Sequence, residues 1–195
     1  MRTLSETGVR RFIAKTFFCC GVALGMATVR AGEVSGVSMP DAVNVAGRGL
    51  RLNGMGKRVE TALFKAYVIG LYLEKPTKDA RAAITTDEAK RFVLTMLRDV
   101  SRETFVQAVE TGFTRNAGSS MPNIRARLDL LEQALPALKK GNVLDITYLP
   151  EVGTVISGQG REMTIAGKDF SDALFAVWLG PNPVEASLKR ELLGG

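Results

Sequence analysis

The sequence contains no histidine, and its two cysteines, Cys19 and Cys20, stand side by side near the amino terminus. The first absence excludes imidazole general-base chemistry, the Ser-His and Cys-His nucleophile pairs, and the commonest ligand of transition metals. The second leaves residues 21–195 without a thiol or a disulfide. Runs of apolar residues long enough to span a bilayer are missing as well. The longest charge-free stretch near the start, 16–29, has only fourteen residues. No internal repeat, low-complexity block or linker interrupts the remainder. Chemistry in this chain is therefore left to arginine, lysine, tyrosine, hydroxyls, carboxylates and shape.

That amino-terminal stretch has a pattern of its own. Arg2, Arg10, Arg11 and Lys15 form a basic region ahead of the uncharged 16–29, and Val29-Arg30-Ala31 supplies small residues at the two positions a signal peptidase reads. This three-part order predicts a secretory signal peptide over 1–31 and a single exported domain over 32–195, periplasmic or secreted. The charge balance changes accordingly. Of the formal net +6, four charges belong to 1–31, which holds five Lys/Arg and one Glu, so +2 remains for the domain. So small an excess does not build the basic face that nucleic acid requires. The 164 residues from 32 to 195 suit one domain with a sizeable core.

The period of the apolar residues sets the layout. The stretch 36–54 reads as short strands broken by Gly47, Gly49 and Gly54. Residues 63–73 form a strand apolar on both parities, with Tyr67, Ile69, Leu71 and Leu73 on one and Ala66, Val68 and Tyr72 on the other, which predicts cover on both faces. A further strand carries Phe92, Leu94 and Met96. Ser101 then caps a helix whose Phe105, Ala108, Val109, Gly112 and Phe113 fall on one stripe, and a second helix with Ile124, Leu128, Leu131 and Leu135 ends at Pro136. Strands at 143–149, 153–158 and 161–167 follow. Two short helices close the chain, the first capped by Ser171 and stopped at Gly180-Pro181. Strands at both ends with helices in blocks give an α+β fold, an antiparallel sheet with helices on one face.

Three side chains invite a functional reading. The segment Gly54-Met55-Gly56-Lys57-Arg58 reads as a loop but is not a phosphate loop, because Arg51 and Arg58 occupy the places of its first glycine and its hydroxyl residue. Arg58 stands where the chain enters the core and needs an anionic or carbonyl partner. Glu60 of the same strand face could supply it, or a ligand carboxylate could. Arg98 reads as a solvated, turn-facing residue, and Tyr67 as a buried ring whose hydroxyl requires a partner.

The stretches NGMGKRVETALFKAYVIGLYLEK, LTMLRDVSRETFVQAVETGF and FSDALFAVWLGPNPVEASLKRELL together resemble the chalcone isomerase-like superfamily, especially its bacterial exported members, over roughly 37–193. The resemblance implies an open-faced β-sandwich with a ligand cleft between a large antiparallel sheet and a helical layer. It also implies site positions. The arginine of the isomerases falls on Arg58, a threonine on Tyr67, the catalytic tyrosine on Phe105, the asparagine on Gly112 and a later threonine near Val177. The cation is retained while the hydroxyl and amide partners are mostly gone, which departs from an isomerase. In the fatty-acid-binding branch, an arginine and a tyrosine hold the ligand carboxylate, and Arg58 and Tyr67 match both. The expectation is an exported, non-catalytic protein that binds a fatty acid or similar amphipathic carboxylate, with Arg58, Tyr67, Phe105, Gly112 and Val177 at the ligand. No metal, cofactor or nucleic acid is expected, and membrane contact only transiently if at all. The alternatives are an intramolecular lyase acting on a chalcone-like enone through Arg58, and a structural or partner-binding envelope protein with a filled cleft.

Overall fold

The structure is a computed structural model that describes residues 31–61 and 64–195, and the side chains of 32–59 and 66–195. Apart from Ala31, the segment expected as a signal peptide lies outside the described residues.

The described residues form two sheets. A hairpin of β1 (Ala31–Val34) and β2 (Val37–Pro40) stands apart from a seven-stranded antiparallel meander. The meander runs β3 (Ala42–Val45), β4 (Arg48–Thr61), β5 (Phe64–Leu73), β6 (Lys90–Met96), β7 (Val143–Leu149), β8 (Gly153–Gly158) and β9 (Arg161–Ile165), each strand pairing with the next in sequence. Two of its turns, together with that of the small hairpin, follow directly from local chemistry. Ser35-Gly36, Ala46-Gly47 and Gln159-Gly160 place two successive residues in the left-handed region, the geometry that matches the twist of a two-residue hairpin.

The sheet is covered on both faces, as the double apolar parity of β5 requires. Tyr67, Ile69, Leu71 and Leu73 join Phe92, Leu94 and Met96 of β6 beneath the helices, while Val68 and Tyr72 pack with Met39 and Leu50 on the opposite side. On that side the β1–β2 hairpin is tied down by the Tyr72 hydroxyl, which donates to the Pro40 carbonyl at 2.9 Å. The helical layer comprises α1 (Ala80–Thr85), α2 (Arg102–Ala117), α3 (Met121–Ala134), α4 (Lys168–Leu179) and α5 (Ala186–Leu192). Helix α4 is apolar nearly all round because it is buried between the sheet and its sister helices. Its Phe175 stacks on Phe92 with ring centroids 4.6 Å apart, and Trp178 tilts against the same ring at 5.1 Å. Ser101 caps α2 as expected, its hydroxyl accepting from the Thr104 N–H.

Several expectations need correction. The glycine-rich stretch before Arg58 is not a loop, for β4 runs unbroken through Gly49, Gly54 and Gly56. The last two glycines make room instead of turns. A Cβ on Gly54 would lie 2.2 Å from the Glu191 carbonyl oxygen, and one on Gly56 would lie 2.0 Å from Glu191 Oε2, because α5 crosses the strand there. Helix α4 starts at Lys168, behind Gly167 at φ 104°, and Ser171 is a fully buried member of its first turn, not its cap. The early start brings Phe170 into the core. Strand β9 ends at Ile165, short of residue 167. Helix α1, for which the periodicity gave no expectation, is capped by Asp79, whose Oδ1 accepts the N–H groups of Arg81 and Ala82. Arg98 is half-buried with its Nε out of solvent. Ala108 is exposed, although it belongs to the predicted stripe of α2.

Among the described residues no helix is long and apolar enough to cross a membrane, and no cluster of acidic, histidine or cysteine side chains could hold a metal ion.

Candidate ligand cleft

The site begins with strand register. Arg58 on β4 lies directly opposite Tyr67 on β5, and Tyr67 lies opposite Met96 on β6. Cross-strand partners share a face, so the three side chains form one row under the helices. Immediately beyond Arg58 the ladder is irregular, slipping on both sides of Val59 so that Ala66 is skipped on one strand and Glu60 on the other. Such bulges leave backbone groups needing new partners and redirect neighbouring side chains. Here the Val59 N–H donates to Glu185 Oε2 at 3.1 Å, and the Val59 carbonyl accepts from Arg58 Nη1 at 2.8 Å.

Glu185 is the carboxylate that meets Arg58. Arg58 Nη1 donates to its Oε2 at 2.9 Å, and both side chains keep about a quarter of their surface, 27% and 22%. Among the described residues this partner comes from the start of α5; the side chain of Glu60, the partner the sequence suggested, lies outside those described. Burial pushes the Glu185 carboxyl up, but the Ser187 hydroxyl, the Val59 N–H and the Arg58 guanidinium outweigh it and hold the group below its ordinary value.

A cleft of about 340 Å³ opens beside this pair, between the end of the sheet row and α2, with α4 at its base. Arg58, Tyr67, Phe105, Gly112 and Val177 all line it, so the structure gathers the five positions that the resemblance implied. Their parts differ. Tyr67 is buried and its hydroxyl oxygen accepts from Trp178 Nε1 at 2.9 Å. Phe105 and Val177 are buried apolar surface. Gly112 brings α2 onto α4, since a Cβ there would sit 2.6 Å from Val177 Cγ1. The inner wall is completed by Ala66, Met96, Val100, Val109 and Trp178, all buried. The outer edge is polar, with Thr104, Gln107, Thr111 and Arg115 from α2 and Asn182 from the loop after α4.

That edge is held by an asparagine pair. Asn116 Oδ1 accepts the Asn182 N–H at 3.0 Å, Asn116 Nδ2 donates to the Asn182 carbonyl at 2.9 Å, and Asn182 Nδ2 donates to the Arg115 carbonyl at 3.1 Å. The end of α2 is thereby fastened to the loop that leads into α5 and Glu185. Glu185, Trp178, Arg115 and the two asparagines were not singled out in the sequence. The loop 180–185 between two helices, bearing polar residues beside Pro181 and Pro183, was a signal pointing to Asn182 and Glu185; nothing in the pattern marked the others.

Apolar inside and polar at the lip, the cleft suits a molecule with a hydrocarbon body and a polar end. Its size lies near the lower end of ordinary small-molecule pockets, which run from roughly 300 to 1,000 Å³.

Comparison with known proteins gives a consistent picture of the fold. A family model described as chalcone isomerase-like matches residues 31–194. The crystal structure of an Arabidopsis thaliana fatty-acid binding protein is similar with a TM-score of 0.65 and 14% identity, over 84% of this chain and 96% of that one. At that identity the likeness is one of fold. Comparison with curated proteins gave no match.

Proposed function

The chain belongs to the chalcone isomerase-like family, and from that premise we propose that it binds a fatty acid or a similar amphipathic carboxylate in the cleft beside Arg58 and Tyr67, without catalysing a reaction on it. The observation that carries this reading is the cleft itself, with a buried apolar inner wall and a polar lip bearing arginine. The Arabidopsis neighbour of the same fold is a fatty-acid binding protein, which favours the same ligand class. Each buried methylene contributes about 0.8 kcal/mol, so six of them give roughly 5 kcal/mol, more than one partly exposed ion pair. The apolar body of the ligand thus dominates affinity and its head sets orientation.

Arg58 acts in this reading as a fork of N–H donors at the inner edge of the lip. Its charge is largely balanced by Glu185. An enone cyclisation would ask more of the site, because developing oxyanion charge is stabilised by several preorganised donors. Phe105, Gly112 and Val177 place none at the positions where the isomerases carry a tyrosine, an asparagine and a threonine. Export of residues 32–195 after removal of 1–31 belongs to the same proposal and is checked by amino-terminal sequencing of the mature protein.

The chain provides its own reporter. Its single tryptophan, Trp178, lines the cleft and bonds Tyr67. Titration of delipidated protein with a saturated fatty-acid series should change its emission, and affinity should rise roughly fourfold per added methylene until the cleft is full. Emission that stays constant through the series, with no lipid in extracts of native protein, would overturn the reading.

A further inference from the structure

The charges around the cleft do not fall where the five gathered positions would put them. Arg58 faces Glu185 at 2.9 Å and also donates to the Val59 carbonyl, so the pair presents almost no net charge. Among the described residues lining the cleft none is Asp or Glu, and the other ionised side chain is Arg115. We infer that Arg115, not Arg58, supplies the positive charge that selects an anionic head, while Arg58 is a hydrogen-bonding fork held in place by Glu185. This inference rests on the lipid-binding reading and specifies which group recognises the head.

Three observations support it. Among the described residues no acidic side chain pairs with Arg115, whereas Arg125 and Arg127 of the neighbouring helix α3 are engaged by Glu110, Asp129 and Asp169. Arg115 also lies in the last turn of α2, where the helix dipole favours a cation and where no compensating acid follows. Its backbone is anchored by Asn182 and bracketed by the bonds of Asn116 to the Asn182 backbone and to the Gly112 carbonyl. A fixed backbone and a guanidinium without an acidic partner among the described residues suit a head group that arrives last, after the hydrocarbon has entered. Thr104, Gln107 and Thr111 lie along the same edge and add neutral donors.

The arrangement discriminates between ligand classes. Among the described residues two guanidinium charges, from Arg58 and Arg115, stand against the carboxylate of Glu185, and the surplus positive charge is one that a carboxylate head neutralises and an alcohol does not. Arg115 sits at the solvent-facing lip, so its attraction is screened by salt.

The test compares dodecanoate with dodecanol, following Trp178 emission in the full chain at low salt. The parent protein should prefer dodecanoate, and Arg115→Gln should weaken dodecanoate by about tenfold while changing dodecanol less than twofold. Arg115→Glu should invert the preference. Glu185→Gln should tighten dodecanoate by freeing the charge of Arg58. Raising salt to 0.5 M should erase the preference in the parent and leave Arg115→Gln unaffected. If the parent binds both ligands and Arg115→Gln leaves its preference intact, the assignment to Arg115 is wrong and the lipid reading stands. If the parent binds neither, the lipid reading fails and takes this inference with it. Circular dichroism of each variant separates a lost head-group contact from a lost fold.

Discussion

Gly112→Ala sets two established effects against each other at the base of the cleft. Gly112 lies well inside α2, where alanine is favoured over glycine by about 1 kcal/mol. On propensity alone the substitution stabilises. The structure gives the opposite sign. A Cβ at this position would sit 2.6 Å from Val177 Cγ1, 3.0 Å from Cγ2 and 3.2 Å from Cβ, against a comfortable carbon–carbon separation of roughly 3.5–4.0 Å. Rotating the valine does not relieve all three contacts, because its own Cβ is among them and its χ1 is restricted in a helix. Val177 is 1% exposed on the buried helix α4, so α2 must move out by about 1 Å, the shortfall of the closest contact from that comfortable separation. Overpacking of this kind costs about 1–3 kcal/mol, and the overlap with three atoms argues for the upper half. After the propensity gain, a net loss of about 1–2 kcal/mol remains. Urea unfolding of four proteins decides the matter: parent, Gly112→Ala, Val177→Ala and the double variant. Gly112→Ala should destabilise the parent, and should stabilise the Val177→Ala background by up to about 1 kcal/mol, because truncating the valine removes the clash. The same sign in both backgrounds would refute the reasoning, since it would mean the α2–α4 contact is not limited by this valine.

Further outcomes follow from charges and from the second helix contact. Lys90 is 2% exposed, and burial, with the Lys168 ammonium nearby, lowers its pKa from 10.5 to about 8. The unfolded chain then holds more protons between pH 8 and 10, so stability should rise with pH across that window by up to about 3 kcal/mol, and this rise should vanish in Lys90→Met. Above pH 10 the trend reverses, because burial raises the Tyr72 hydroxyl to about 12 and its neutral form is then the one the fold favours. Glu185, held below its ordinary value, contributes stability that is present above pH 4.5 and lost as pH falls through its folded pKa; the acid limb of urea stability should flatten there in Glu185→Gln. A double-mutant cycle on Arg58→Met and Glu185→Gln should give a coupling of about 1 kcal/mol, between the values typical of exposed and buried pairs. Gly54→Ala should detach α5 more completely than Gly56→Ala, because it strikes the Glu191 and Leu192 carbonyls and not the end of a side chain. Limited proteolysis near residue 185 reads the difference.

What could be read from the sequence had short-range or pairwise causes. The parity of 63–73 announced a strand covered on both faces, and the Ser101 cap and the helical stripe led to α2. The positions carried over from the family fell together because Arg58 and Tyr67 are cross-strand partners and Gly112 meets Val177. Glu185 was not legible: it stands 127 residues from Arg58, and Glu60, two positions away, matched the local pattern better. Gly54 and Gly56 misled for a different reason. A glycine that opens a turn and one that admits a neighbouring backbone look alike in sequence, and only the helix crossing β4 distinguishes them. Ser171 preceded an apolar run as a cap would, yet the core claimed Phe170 and drew the helix back to Lys168.

The crossing of β4 by α5 also sets a clock. Asn53 Nδ2 donates to the Leu192 carbonyl across 139 residues, and Gly54 fits beneath that same turn. At ribosomal speeds of roughly 5–20 residues per second, the bare glycine strip waits about seven to thirty seconds for its cover to be synthesised. Throughout that interval the nascent polypeptide carries an unfilled seat for a helix, open to occupation by the wrong segment or by a chaperone.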